Sequence, residues 1–281
     1  QAPGGAGQAK GKGKAAAPEY TPIPTDLPKR DPAWQKLFPA GFKNERVKTT
    51  GGVEINAVIG GSGPPLLLMH GAPQSLCTWH LVAPEIMKNY TMVMTDHRGY
   101  GDSSKPADLP DHSSMSKRPM AQDGVDVMKH FGYEKFAVVG HDRGGRVGHR
   151  LVRDHADKAT KLLVIDIVPA LYLYNHVTID FVQAYFHWFN YLRPSPGPEN
   201  ELIAQYVEQA RSGRLTGLAD EFNRCMLNPG SVHGMCEDYR ASASLDLKID
   251  ETDIKAGKKI QCPLHVLWAA TGSMGQLYDV L

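Results

Sequence analysis

The sequence predicts an α/β protein: a mostly parallel sheet flanked by helices, with a helical insertion late in the chain. Three observations carry this reading. Short apolar runs at Pro65–Met69, Tyr90–Thr95, Phe136–Val139 and Lys161–Ile165 read as buried strands alternating with helical spacing, the grammar of parallel strands joined by crossover helices. From Val168 to Asp250 that grammar stops, and aromatic-rich helical stretches replace it. Strand character then resumes at Pro263–Trp268. At 281 residues, 42% hydrophobic and 22% charged, the chain can bury one sizeable core.

Taken in order, residues 1–31 are rich in Ala, Gly, Lys and Pro without periodicity and are expected to form a disordered tail. A chain beginning at Gln1 with such a tail fits a secreted or periplasmic protein after signal removal better than a cytoplasmic one. Residues 32–167 are expected to be the first part of the core, 168–250 a helical cap, and 251–281 the second part of the core. Val53–Ile59 alternates as a half-buried strand, and Pro65–Met69 ends at His70-Gly71-Ala72-Pro73. Tyr90–Thr95 leads into the turn-rich loop Asp96–Ser104, where Asp96 and Arg98 are expected to fix turns. Apolar residues at Val125, Val127, Met128 and Phe131 suggest a helix over Met120–Phe131. In the insertion, Phe181–Phe189 looks helical and the Pro-rich run 193–198 breaks the pattern. Ligands of a parallel sheet bind at the carboxyl ends of its strands, where His70, Asp142 and Asp166 all fall.

A net charge of +1 provides no field for nucleic acid, and no apolar run reaches membrane-spanning length. The expected partner is therefore a small molecule. No cofactor or metal is expected: Cys77, Cys225, Cys236 and Cys262 are far apart and form no CxxC pair, which leaves disulfides open.

The chemistry centres on Lys135–Arg146, KFAVVGHDRGGR. Glycines two before and two after Asp142 suit a sharp strand-to-helix turn in which a Cβ would clash, and such a turn exposes its central side chain. Here that residue is a carboxylate, ionised at neutral pH and able to attack without a base, which predicts a covalent ester. Arg143 and Arg146 place two cations in the first turn of a helix, against the positive end of its dipole, and so call for an anionic ligand. Three residues apart, they share a face that can grip a carboxylate.

From about Pro32 onward the chain resembles the fluoroacetate (haloacetate) dehalogenases of the α/β-hydrolase superfamily. The matching segments are HGAPQ at 70–74, DHRGYGDSSKP at 96–106, GHDRGGR at 140–146, IDIVP at 165–169, HW at 187–188 and CEDYRA at 236–241. The resemblance implies an α/β-hydrolase fold with an inserted helical cap and hydrolytic dehalogenation of a short 2-haloacid, giving the 2-hydroxy acid and halide. It assigns Asp142 as nucleophile, Asp166 as the acid that orients a histidine, and Arg143 and Arg146 as binders of the substrate carboxylate. It also assigns His187, Trp188 and Tyr239 to the departing halide, and each of these owns an N–H or O–H donor. The backbone N–H groups of Ala72 and Arg143 are the expected oxyanion hole, since Pro73 has none to offer. Relatives often carry Phe where Ala72 stands, which here makes a smaller pocket wall. The implied partner is a halogenated carboxylate, and a homodimer is left open.

The chief departure is that the family's catalytic histidine, last strand and closing helix are absent from this chain: they follow the point where it stops. Two alternatives stay open. An epoxide hydrolase would use the same Asp142 with Tyr185 and Tyr239 as acids, although an uncharged epoxide gives the two arginines nothing to pair with. A non-catalytic homologue would bind a small carboxylate only.

Overall fold

The computed structural model describes residues 19–278. Among these described residues, seven strands form one sheet in the order β1-β2-β4-β3-β5-β6-β7. They are β1 (Lys43–Lys48), β2 (Glu54–Gly61), β3 (Pro65–Met69), β4 (Thr91–Thr95), β5 (Phe136–His141), β6 (Ala159–Ile165) and β7 (Leu264–Leu267). The last five in sequence pair in parallel, while β1 and β2 are antiparallel additions at one edge. Strand β1 escapes the sequence reading because only Val47 of its six residues is buried. An edge strand of that kind is held by its ladder to β2 rather than by an apolar face.

The continuous apolar runs have a simple cause. In β3, Leu67 and Met69 enter the core on one face while Leu66 and Leu68 enter a second core on the other. A strand covered on both faces has no polar side to alternate with. The first face is covered by the helices Lys117–His130 and Arg143–Asp154. The helix expected from Met120 starts earlier, at Lys117, behind Ser116. Its first turn is Lys-Arg-Pro and carries no apolar signal; Lys117 is nevertheless buried, because carboxylates from the insertion meet it there.

Register brings the site together. Met69 pairs with Gly140, Gly140 with Val164, and His141 with Ile165. The segments following β3, β5 and β6 therefore leave the sheet side by side, and these carry Ala72, Asp142 and Asp166. Between β6 and β7 the chain is helical, from Ala170–Asn175 to Leu245–Lys255, past the expected boundary at 250. The single helix suggested for 181–189 is two, Ile179–Ala184 and His187–Asn190, with the break at Tyr185 and Phe186.

Residues 1–18 of the expected tail lie outside the described residues. The remainder corrects the expectation of disorder, for 19–31 packs on the insertion. Thr21 N–H donates to Asn200 Oδ1 at 2.8 Å, and Arg30 pairs with Asp220 and donates to Asn223 Oδ1 at 2.8 Å. All four cysteines are free thiols. Among the described residues no helix is long and apolar enough to cross a membrane.

Candidate active site

The turn after β5 is built as the glycine spacing requires. A Cβ on Gly140 would lie 2.3 Å from the Gly144 carbonyl oxygen, and one on Gly144 would lie 2.2 Å from that of Met69. Neither contact can be relieved, since both partners are backbone. Asp142 itself sits at φ 49° and ψ −116°, a conformation an L-residue adopts only under constraint, and such strain gathers at functional sites. Its carboxylate meets the loop after β3: Oδ1 accepts the Ala72 N–H at 2.9 Å. Gly71 allows that approach, because a Cβ there would fall 2.7 Å from the Asp142 Cβ.

Beside Asp142 lies a cavity of about 210 Å³, walled from below by Ala72, Asp142, Arg146 and Asp166 and from the insertion by Tyr185, His187, Trp188 and Tyr239. Of the residues that the resemblance assigns to the site, all but Arg143 line this cavity; His70, at the same sheet edge, does not. The Arg143 guanidinium stands behind the wall, 4.2 Å from the centre of the Tyr239 ring, and is held by the carboxylate of Asp238. His141, Ile167 and Met274 complete the lining and were not anticipated.

Among the described residues, two buried polar atoms of the lining have no partner, Arg146 Nε and Asp166 Oδ1, and so do two behind its aromatic wall, Arg143 Nη1 and Tyr174 Oη. A buried unsatisfied group costs about 1–3 kcal/mol, more when charged, so such a concentration marks a place shaped for a polar ligand. Arg146 donates Nη1 to the Val168 carbonyl at 2.9 Å and lies 4.8 Å from the Trp188 ring centre. Burial, and then the nearby Arg143, pull its pKa below the usual arginine value. Burial likewise lowers the His187 pKa and, with the Asp142 charge, raises that of Tyr239. At neutral pH both are therefore uncharged donors, one N–H and one O–H.

The neighbouring polar groups serve the scaffold. His70 donates Nδ1–H to the Gly71 carbonyl at 2.7 Å and accepts the His97 N–H on Nε2 at 3.2 Å, which fixes it as a neutral tautomer, and burial lowers its pKa. Asp96 accepts from Leu76 N–H at 2.7 Å and Asp102 N–H at 2.9 Å, and Arg98 forks onto Asp123 at 2.6 and 2.8 Å. Asp166, at φ 54°, closes β6 beside β7, its N–H donating to the Leu267 carbonyl at 2.7 Å. Among the described residues no histidine hydrogen-bonds to it.

Comparison with known proteins identifies the family. Residues 64–221 match the family described as the alpha/beta hydrolase fold. The chain is similar to a fluoroacetate dehalogenase from Burkholderia sp., 40% identical over 85% of this chain and 82% of that protein. The chain belongs to the fluoroacetate dehalogenase family of α/β hydrolases. It is similar as well to a soluble epoxide hydrolase from Corynebacterium, at 30% identity over 80% of each protein. A solved α/β hydrolase from Nostoc superposes with a TM-score of 0.79 at 45% identity, covering 85% of this chain and 84% of that one. This dehalogenase-family chain thus carries its elbow, its acid after β6 and its aromatic wall on one cavity. What sequence reasoning missed is Asp238, which stands inside the quoted CEDYRA motif but had no role until its contact with Arg143 was seen. Its only signal was its position next to Tyr239.

Proposed function

We propose that this protein hydrolyses the carbon–halogen bond of a short 2-haloacid through an ester on Asp142. The observation that carries the reading is the pair of buried guanidinium nitrogens, Arg143 Nη1 and Arg146 Nε, unpaired beside a strained carboxylate. A substrate carboxylate would meet Arg146 Nε on the cavity wall with a charge-assisted bond, and would bond Arg143 Nη1 by reaching past the edge of the Tyr239 ring. With Asp142 Oδ1 held by the Ala72 N–H, the other carboxylate oxygen attacks the halogen-bearing carbon. The C–O bond forms as the carbon–halogen bond breaks, and the halide leaves with its electron pair toward the donors of His187, Trp188 and Tyr239.

Hydrolysis then restores Asp142. A water adds to the ester carbonyl, the oxyanion forms against the backbone N–H groups of Ala72 and Arg143, and the 2-hydroxy acid departs with its C–O bond intact. The water's proton passes to a general base, which returns it to the departing alkoxide oxygen of the 2-hydroxy acid; Asp166, with an oxygen unpaired among the described residues at the same sheet edge, is the group suited to orient that base. Partners follow from this chemistry: a small halogenated carboxylate, without nucleic acid or membrane.

A second reading draws on Tyr185 and Tyr239, which both line the cavity and would protonate an epoxide oxygen. The unpaired arginine donors weigh against it, since an epoxide leaves them unsatisfied. Released halide and a hydroxy acid product, assayed with chloroacetate and fluoroacetate against a simple epoxide, decide between the two. Diol formation without halide release would overturn the proposal.

A further inference from the structure

Three separate segments of the core converge on one buried residue of the insertion, Asp238. It stands on the helix Pro229–Ser242, one position before Tyr239, and is fully buried. Arg143 grips its carboxylate twice, Nε to Oδ2 at 2.8 Å and Nη2 to Oδ1 at 2.7 Å. Tyr100 donates its hydroxyl to Oδ2 at 2.8 Å, and the Lys117 ammonium pairs with Oδ1. Arg143 Nη2 also donates to the Asp238 carbonyl at 2.9 Å and to Ser242 Oγ at 2.6 Å.

Two consequences follow from this geometry. A guanidinium is a planar fork, so fixing its Nε and Nη2 edge fixes the direction of the remaining nitrogen, Nη1, which is buried and unpaired. The same bonds tie the helix to the elbow, so the residue after Asp238 is set in place as well: the Tyr239 ring lies 4.2 Å from the Arg143 guanidinium and forms part of the cavity wall. Charge is also apportioned. Arg143 and Lys117 are offset by Asp238 and Asp246, whereas among the described residues no carboxylate forms an ion pair with Arg146.

We propose that Asp238 is a positioning residue of the active site: its grip on Arg143 holds Nη1 in place beside the Tyr239 ring, where a substrate carboxylate reaches it past that ring, and holds Tyr239 in the cavity wall, leaving Arg146 to supply the uncompensated charge. This rests on the carboxylate-binding reading above. Asp238 touches no reacting atom and acts through its neighbours.

The test compares a charged and a neutral substrate. Asp238→Asn keeps the side-chain shape and removes the carboxylate fork. The double variant Asp238→Asn with Lys117→Met also restores charge balance, leaving Arg143 against Asp246, and so guards against loss of folding through an unpaired cation. For each protein that melts cooperatively, kcat and KM are measured on chloroacetate and chloroacetamide, with glycolate affinity from calorimetry. The expected result is a fall in kcat/KM and glycolate affinity of roughly 10-fold or more for the carboxylates beyond that for the amide, at the level of one charge-assisted bond. A folded variant that loses both substrates equally, or loses neither, overturns the assignment of Asp238. The parent protein is measured first: if it does not itself favour chloroacetate over the amide, the carboxylate reading fails, and this inference falls with it.

Discussion

Replacing Arg146 by Met removes the site cation that has no carboxylate partner among the described residues, while keeping an apolar stem against Trp188, whose ring centre lies 4.8 Å from the guanidinium. The structure separates two costs. Losing the guanidinium leaves the Val168 carbonyl, which now accepts Nη1 at 2.9 Å, without its donor. That lowers stability by about 1–3 kcal/mol whatever the substrate. The functional cost is the charge-assisted bonding of the substrate carboxylate through Nε, about 1.5–3 kcal/mol. At 1.4 kcal/mol per decade, this is roughly 10- to 100-fold in kcat/KM for chloroacetate. Chloroacetamide offers a neutral acceptor and should lose several-fold less. The assay is halide release from both substrates under conditions where the variant's melt shows it fully folded. An equal loss on the two would refute the reasoning, since it would mean that Arg146 supports the fold and does not read charge.

Three further outcomes are expected. Gly144→Ala should destabilise the elbow by about 1–3 kcal/mol or more, because the new Cβ meets the Met69 carbonyl oxygen at 2.2 Å; a melting temperature equal to the parent's would contradict the close approach of helix and strand. Tyr239→Phe should reduce halide release by roughly 10²-fold through loss of a donor that burial keeps protonated, with binding of glycolate less affected; an unchanged kcat would remove Tyr239 from the halide's neighbours. His233 lies between Glu199, 3.1 Å from Nδ1, and Asp108, 2.7 Å from Nε2, with Glu237, Arg240 and Tyr20 nearby. Burial alone would lower its pKa, but bonds to Glu199 and Asp108 reverse this and raise it. A raised folded pKa means stability fully present below the free value of 6.5 and lost as pH climbs through the folded value. Between about pH 6 and about pH 9 the parent should therefore lose more melting temperature than His233→Gln; parallel curves would show that the ion pair does not hold the insertion.

What the sequence made legible, and what it hid, divides along physical lines. The elbow could be read because its glycines answer to contacts within a few residues: Gly140 faces Gly144, and both constraints sit in one motif. The central strands could be read because burial on two faces leaves an unbroken apolar run. Strand β1 could not, since its hydrogen bonds to β2 carry it and its side chains mostly face solvent. The anchoring of residues 19–31 was hidden in the same way, for Arg30 among Pro and Lys has no local signature of its distant partners Asp220 and Asn223. At the site, spacing placed Arg143 and Arg146 on one helix but could not show that only Arg146 reaches the cavity wall. That distinction depends on Asp238, ninety-five residues further on.

Covalent attack by Asp142 is the central step of the proposed mechanism. A single turnover of chloroacetate in water enriched in heavy oxygen, followed by mass spectrometry of the peptide carrying Asp142 and of the glycolate, tests it directly. The expected result is a carboxymethyl ester on Asp142 or, once hydrolysed, heavy oxygen in the Asp142 carboxylate with unlabelled glycolate; Asp142→Asn protein should show neither and release no halide. Labelled glycolate with Asp142 unmodified and unlabelled would mean that water attacks the carbon directly, and that would contradict the mechanism.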